Sequence, residues 1–296
     1  MDTVITCEIT PAHTAFKDAM RAQWDTAAAG WNAHAPELHA WLSRPTDAMC
    51  RMAGVEVGAR VLDVAAGAGE QTLALARLVG PRGHVLATDL SPAIVALARE
   101  NAARAGLDQV DTRVADGEDL GVAEASFDAA VCRLGLMFFP DPVRGLCEMH
   151  RALRPGGGLC TMVFSRPENN PCLTIMMSTA LKHAGLPPRD PFAPGGLLSL
   201  GRPGHIDSLF RAAGFQDVAT TAFNAVFHMP SVNAYLDFVR SSASPILGIL
   251  RHLAPPAAAA AWAEMHDRLS AFSTAEGWAG PNELLLTAGR RPREMP

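Results

Sequence analysis

Apolar runs and helical patterns alternate through the middle of the chain. The runs RVLDVA, HVLATDL and SFDAAVCRLGL are continuous and bounded by turn residues, which predicts strands buried on both faces. Between them, EQTLALARLVG and SPAIVALARENAARAG carry apolar residues at helical spacing. Strand, helix and strand in this order predict a parallel α/β sheet with right-handed crossovers.

Local signals mark the ends of one predicted helix in this region. Ser91 is a good N-cap, Pro92 stands at the first helical position, and Gly106 suits the C-terminal end. We therefore expect a helix between two strands here.

The alternation stops after Ser165. An apolar helix is predicted within the Pro- and Gly-rich residues 166–200, and helices are predicted over 231–278. Two further strands are predicted at VATTAFNAVFHM and NELLLTAGRR, and the helix EMHRALRPGG precedes the strand GGLCTMVFS. Residues 1–50 also predict helices, and we expect these flanking segments to cover one end of the sheet.

Composition restricts the function classes. Hydrophobic residues make up 49% of the 296 residues and charged residues 19%, which indicates a globular protein. The net charge of −5 argues against a nucleic-acid binder. No apolar stretch reaches about 18 residues, and the N-terminus lacks a secretory signal pattern, so we expect a cytoplasmic protein without a membrane span.

The segment VLDVAAGAGE places the smallest residues directly after a predicted strand. Ligands of open parallel sheets bind beyond the carboxyl ends of the strands. Gly67 and Gly69 permit unusual backbone angles and let a ligand approach the main chain. Asp63, just before this turn, suits a cationic or amine-bearing ligand. The turn lacks the third glycine of a dinucleotide-binding G-x-G-x-x-G pattern.

Acidic residues also stand at the ends of the next two predicted strands. Asp89 can accept hydrogen bonds from a ribose diol, and Asp116 from an exocyclic amine such as that of adenine. Leu90 is placed to lie against a base. The alternative, that each acid only caps the following helix, stays open.

The motifs VLDVAAGAG, ATDLS, VADGEDL, SFDAAVCRLGLMFFPDP and LRPGG resemble those of class I S-adenosylmethionine-dependent methyltransferases over residues 50–165. Within that family the sequence looks like the branch around the ubiquinone and menaquinone C-methyltransferases and the related small-molecule enzymes. Ala65 stands where that family usually has glycine, and alanine fits if this position keeps ordinary backbone angles. The turn and Asp63 would hold the methionine end of the cofactor.

The resemblance implies S-adenosyl-L-methionine as cofactor and assigns further residues to it. Asp89 would bind the ribose, and Asp116 the adenine amine. Cys132 and Arg133 would approach the sulfonium and amino groups, and Trp31 would cover the cofactor. The implied cofactor residues are Trp31, Asp63, Ala65, Gly67, Gly69, Asp89, Leu90, Asp116, Gly117, Glu118, Cys132 and Arg133.

The fold implied is α/β, a Rossmann-like three-layer sandwich with a seven-stranded mixed sheet whose last strand is antiparallel. We expect an N-terminal helical lid (residues 1–50), a cofactor-binding core (51–165), and substrate-capping helices with the last two strands (166–296). A homodimer is left open.

The reaction implied is direct displacement of a methyl group onto an O, C or N atom of a small, apolar or aromatic acceptor. Such a displacement needs alignment and exclusion of water, and does not always need a base. The candidates for a base are His34, His39 and His228. No metal is predicted, because neither H-x-x-x-H nor C-x-x-C occurs.

Two other functions are considered. One is an NAD(P)-dependent oxidoreductase, and the other is a non-catalytic module that keeps the methyltransferase fold as a scaffold. The set of acids argues against the scaffold, which needs none of them.

Overall fold

The computed structural model describes residues 11–242 and 244–293. The helices are α1 (Pro11–Ala33), α2 (Ala35–Ala53), α3 (Glu70–Val79), α4 (Pro92–Arg104), α5 (Pro142–Ala152), α6 (Pro171–His183), α7 (His205–Ala212), α8 (Val232–Ser242), α9 (Ser244–Leu250) and α10 (Pro255–Leu269). The strands are β1 (Arg60–Val64), β2 (His84–Asp89), β3 (Val110–Val114), β4 (Phe127–Arg133), β5 (Leu153–Phe164), β6 (Gln216–Asn224), β7 (Phe227–Met229), β8 (Ser273–Thr274), β9 (Gly277–Gly280) and β10 (Glu283–Arg290). The first ten residues of the predicted lid lie outside the described part.

The main sheet of the described residues has seven strands in the order β3-β2-β1-β4-β5-β10-β6. The strands β1 to β5 are parallel, and in β1 the residue Leu62 pairs with Leu86 on one side and Ala130 on the other. The strand β10 runs antiparallel between β5 and β6. The predicted mixed sheet with an antiparallel last strand is confirmed.

Helices cover both faces of this sheet. With right-handed crossovers, α3 and α4 carry the chain toward β3 on one face, while α5 carries it the opposite way on the other face. The helix α2 packs beside α3, and α7 packs beside α5. The resulting three layers form the Rossmann-like sandwich that the sequence predicts, with one apolar core shared by sheet and helices.

The helix α4 has the predicted local signals. Ser91 Oγ accepts a hydrogen bond from the N–H of Ile94 at 3.1 Å, and Pro92 is the first helical residue. Gly106 has φ +66° just past the helix end. These contacts place Asp89, which lies two residues before the cap, next to the start of the helix.

The flanking segments lie together beyond the carboxyl ends of the parallel strands. Helices α1, α6, α8, α9 and α10 contact one another there, together with a small sheet of order β7-β9-β8. No helix of the described residues is long and apolar enough to cross a bilayer.

Three predicted elements differ from the structure. Helical structure over 231–278 is wrong at its end, since residues 273–274 and 277–280 form β8 and β9. The strand VATTAFNAVFHM is interrupted after Asn224, where the N–H of Ala225 donates to the Asn282 carbonyl. The helix EMHRALRPGG ends at Ala152, because the following residues already pair in β5.

Candidate functional site

A cavity lies between the carboxyl ends of the parallel strands and the flanking helices. We call its first part the turn half; it is lined by residues 64–67, 88–90, 115–118, 133–135 and 137–140, which lie at or just after the ends of β1, β2, β3 and β4. We call its second part the aromatic half; its lining includes Trp41, Phe164, Leu173, Met176, Phe227, Tyr235 and Phe238. Trp24 and Trp31 of α1 also line the cavity.

The turn after β1 has left-handed backbone angles at three small residues. The φ angles are +55° at Ala65, +59° at Gly67 and +90° at Gly69. A Cβ on Gly67 would lie 3.4 Å from Trp31 Nε1, so this indole lies close over the turn. Gly69 does not line the cavity; it is the N-cap of α3, and a Cβ there would lie 3.3 Å from Ala98.

Ala65 does not meet the condition under which alanine would fit freely at this position, because its backbone angles are not ordinary. Its φ of +55° lies in a region that costs a residue with a Cβ roughly 1–2 kcal/mol. Gly135, after β4, leaves the space that the Ala65 methyl group occupies, since a Cβ on Gly135 would lie 2.4 Å from that methyl. The surrounding structure therefore accommodates alanine at a position better suited to glycine.

Asp63 is buried beneath the turn and does not line the cavity. Its carboxylate accepts hydrogen bonds from Gln71 Nε2 and from Thr72 Oγ1, the latter at 2.7 Å. Burial raises the pKa of Asp63 to about 6. Because Gln71 lines the cavity, Asp63 acts on the cavity wall through this neighbour.

Asp89 lines the cavity at the end of β2. The N–H of Gly67 donates to Oδ2 at 3.1 Å, and the N–H of Ser91 donates to Oδ1 at 3.0 Å. Burial raises the pKa of Asp89 above its usual value despite these donors. Each oxygen keeps further lone-pair capacity, so the held carboxylate can accept hydrogen bonds from a ligand. Leu90 lines the cavity beside it.

The acids after β3 are paired with a lysine of α1. Lys17 Nζ lies 2.6 Å from Asp116 Oδ2 and 2.6 Å from Glu118 Oε2, and all three residues line the cavity. The other Glu118 oxygen accepts the N–H of Asp141 at 2.7 Å. The ion pairs therefore fasten α1 to the end of the sheet.

Gly117, between these acids, also lines the cavity. A Cβ there would lie 2.1 Å from Phe139 Cζ, so the absence of a side chain admits the Phe139 ring. Gly145, which lies nearby, also lacks a side chain that would clash with this ring. Gly117 is thus required by packing as well as available to a ligand.

Arg133 lines the cavity and joins three elements. Its Nη2 lies 2.7 Å from Glu70 Oε2, and its Nη1 donates to Thr46 Oγ1 at 2.9 Å. Burial alone would raise the pKa of Glu70, but Arg133 and His39 hold this pKa below its usual value. Cys132 is fully buried and does not line the cavity, and burial raises its thiol pKa to about 12.

The three histidines predicted as base candidates do not line the cavity. His34 Nε2 lies 3.0 Å from Ser241 Oγ, and its ring packs edge-on against Phe238. His39 Nδ1 lies 2.6 Å from Glu70 Oε1, and His228 is exposed on β7. The contacts of His34 and His39 hold helices together, and His228 faces solvent.

Lys17 and Tyr235 are among the cavity residues that were not predicted from the sequence. Lys17 is one of two lysines in the chain, yet its partners lie about 100 residues away, and no local pattern links them. Tyr235 is the chain's single tyrosine, within a segment predicted only as helical. Its rarity was the one signal that the sequence offered.

Comparisons with known proteins identify the central region. Residues 61–157 match a family model described as a methyltransferase domain. A ubiquinone/menaquinone biosynthesis C-methyltransferase of Hahella chejuensis is 38% identical over 117 residues, which are 39% of this chain and 47% of that protein. The chain thus spans about half the length of the curated relatives it matches.

Solved structures share the fold over most of the chain. The YcgJ protein from Bacillus subtilis has a TM-score of 0.57 at 20% identity, covering 86% of this chain and 100% of that one. A phosphoethanolamine N-methyltransferase of Haemonchus contortus, in complex with S-adenosylhomocysteine, has a TM-score of 0.56 at 16% identity, covering 88% and 58%. At these identities the likeness shows the fold alone.

Proposed function

We propose that the chain methylates a small molecule, because residues 61–157 match a methyltransferase domain and the chain is similar there to a ubiquinone/menaquinone C-methyltransferase. The methyl group would pass from S-adenosyl-L-methionine to an O, C or N atom of an apolar or aromatic acceptor. One observation carries this proposal: a single cavity joins the turn half, with its carboxylates, to the aromatic half.

The residues of the turn half fit this cofactor. A Cβ on Gly67 would lie in van der Waals contact with Trp31 Nε1 at 3.4 Å, so the glycine keeps that space beneath the ring free. Asp89 is held by two backbone donors and keeps acceptor capacity for a ribose diol. Asp116 and Glu118 provide acceptors for an amine, which they already use toward Lys17.

The cofactor, when bound, supplies a methyl group on a positively charged sulfur. Asp89 would bind the ribose, and the turn at Ala65 and Gly67 would receive the methionine part. Trp31 would cover the turn and exclude water. The rings of the aromatic half would orient the acceptor toward the turn half, since alignment and dehydration are the main requirements of such a displacement.

The cavity contains no histidine among its described lining residues. The proposed reaction therefore uses an acceptor that is nucleophilic without a histidine base. The predicted roles of His34, His39 and His228 in catalysis have no support from their positions.

The oxidoreductase alternative predicts affinity for NAD(P). Isothermal titration calorimetry with S-adenosylhomocysteine, and separately with NADH and NADPH, distinguishes the two. We expect binding of S-adenosylhomocysteine, with affinity weakened by about 1–3 kcal/mol in Asp89→Asn through lost charge-assisted hydrogen bonds.

The matched control is Asp111→Asn. Asp111 lies on β3, is exposed, and pairs with His84 outside the cavity lining, so this variant should bind like the parent. Unchanged affinity in Asp89→Asn, or binding of a nicotinamide nucleotide without S-adenosylhomocysteine, would contradict the proposal. A cytoplasmic location and a homodimer stay predictions.

A further inference from the structure

The charged side chains that line the cavity lie in its turn half or contact it, and each of them has a partner within the protein. Lys17 pairs with Asp116 and Glu118, and Arg133 pairs with Glu70. Asp89 accepts from two backbone amides. The aromatic half has no Asp, Glu, Lys, Arg or His among its described lining residues. A charged acceptor group would therefore lose its hydration there without gaining a partner, which is costly.

The polar side chains of the aromatic half differ in how they are satisfied. Ser242 donates its hydroxyl to the Phe238 carbonyl, and Asn282 Nδ2 donates to the Gly280 carbonyl at 3.2 Å. The Tyr235 hydroxyl has no hydrogen-bond partner within the part of the chain that the structure describes. This is unusual, because a buried tyrosine hydroxyl generally finds a partner.

The Tyr235 ring is fixed by its neighbours. It stacks on Trp278 with ring centroids 4.1 Å apart and packs edge-on against Phe227 at 5.9 Å. The Trp278 indole is itself anchored by donation to the Leu269 carbonyl at 2.8 Å. The hydroxyl position is therefore set by the fold before any acceptor arrives.

The hydroxyl also remains accessible. Although Tyr235 is only 4% exposed, its hydroxyl oxygen is not sealed from solvent. Tyr235 lines the cavity, so the cavity provides this access. Burial raises the pKa of Tyr235 well above its usual value, and the group stays a donor at neutral pH.

We infer that Tyr235 recognises the methyl acceptor, by donating a hydrogen bond to an oxygen of a neutral, flat aromatic molecule. This rests on the proposed function, because it names the acceptor class of the same cavity. Tyr235 is a specificity-determining residue in this view: the surrounding rings bind the flat apolar body, and the hydroxyl selects molecules that carry a hydroxyl or carbonyl oxygen.

The test compares two probes of matched shape, 2-naphthol and 2-methylnaphthalene, by equilibrium dialysis against the full chain with and without S-adenosylhomocysteine. We expect the parent protein to bind 2-naphthol about three- to tenfold more tightly, the value of one net hydrogen bond. Tyr235→Phe keeps the stacked ring and should lose this preference, so that it binds 2-naphthol no more tightly than 2-methylnaphthalene. Ser242→Ala is the control, because its hydroxyl already has a partner, and it should keep the parent's preference.

A preference that survives in Tyr235→Phe, or that is lost equally in Ser242→Ala, would overturn the inference, as would a parent protein that binds neither probe. Calorimetry of S-adenosylhomocysteine on the same variants separates this from the proposed function. Loss of the preference with normal cofactor affinity supports Tyr235 as the acceptor contact. Absent cofactor affinity in the parent would instead refute the methyltransferase proposal, whatever the probes show.

Discussion

At the scale of single residues, Ala65 and Gly135 form a matched pair. Ala65 has a φ of +55°, and its methyl group occupies the space that Gly135 leaves. A Cβ introduced at position 135 would lie 2.4 Å from that methyl and 3.2 Å from Cys132 Sγ. We expect Gly135→Ala to lower the free energy of unfolding by about 1–3 kcal/mol through overpacking, measured by urea denaturation.

Ala65→Gly should restore most of this loss in the double variant, because it removes the nearest clash and the backbone strain together. Gly248→Ala is the control for glycine replacement. Its new Cβ would have no described atom within 4 Å, and alanine favours a helix. Equal destabilisation of the single and double variants would show that the two residues are not coupled.

A second residue-scale prediction concerns Asp63 and pH. Burial raises its pKa to about 6 in the folded protein, against about 3.9 for an unfolded chain. Between these values the folded state keeps a proton that the unfolded state has lost, so stability falls as pH rises from about 4 to 6 and stays lower above.

Asp63→Asn removes this titration. The unfolding free energy of the parent, relative to that of Asp63→Asn, should therefore fall by about 2–3 kcal/mol between pH 4 and pH 7, measured by urea denaturation at each pH. Asp128→Asn, at a carboxylate outside the core, serves as the comparison. A relative stability that is constant or rises with pH would contradict the prediction.

The residue scale also shows what the sequence could not predict. The position of Asp63 at a strand end was predictable, but successive side chains of a strand point to opposite faces, and Asp63 faces α3 rather than the cavity. Cys132 is turned away from the cavity in the same manner. By contrast, Asp89 and Asp116 line the cavity as expected. Asp89 is the last residue of β2, and Asp116 lies two residues after the end of β3, so both lie where the chain turns.

At the scale of elements, α1 is attached to the sheet by Lys17. Its ammonium group lies 2.6 Å from carboxylates of Asp116 and Glu118, and the Lys17 and Glu118 side chains are only 11% and 3% exposed. Lys17→Met removes two charge-assisted hydrogen bonds and leaves a buried carboxylate unpaired. We expect amide hydrogens of α1 to exchange about tenfold faster or more in this variant, measured by mass spectrometry.

Arg21→Met is the matched control on the same helix. Arg21 pairs with Asp18 at the surface, where an ion pair contributes little. Its α1 exchange should match that of the parent. Equal acceleration in both variants would mean that loss of any cation from α1, and not this ion pair, loosens the helix.

Elements differed in how far local sequence determined them. The strands β1, β2 and β4 and the helix α4 were predictable, because continuous apolar runs and the Ser91 cap are local signals. The strands β8 and β9 were not, because they are only two and four residues long, and β9 contains two glycines. Their strand geometry comes from pairing with each other and with β7, which depends on residues about 50 positions earlier.

At the scale of the whole molecule, the flanking helices share their packing with the sheet. Trp41 of α2 stacks on Phe227 with centroids 4.7 Å apart and lies 6.2 Å from Phe164 of β5. Arg290 of β10 donates to the Ala53 carbonyl at 3.2 Å. The buried apolar cluster runs without a break from α2 through the sheet to α8 and α10. The sequence-based division at residues 50 and 165 stays a prediction, and this packing favours joint unfolding of its parts.

The placement of tryptophan makes joint unfolding measurable. All five tryptophans, at positions 24, 31, 41, 262 and 278, lie outside residues 51–165, so their fluorescence reports on the flanking segments. Far-UV circular dichroism reports on helices and strands throughout. Because a continuous core couples the two regions, we expect the urea transitions followed by fluorescence and by circular dichroism to coincide in midpoint and slope. If the fluorescence transition occurred at a lower urea concentration than the circular dichroism transition, the flanking helices would unfold separately. The boundaries at residues 50 and 165 would then separate units of independent stability.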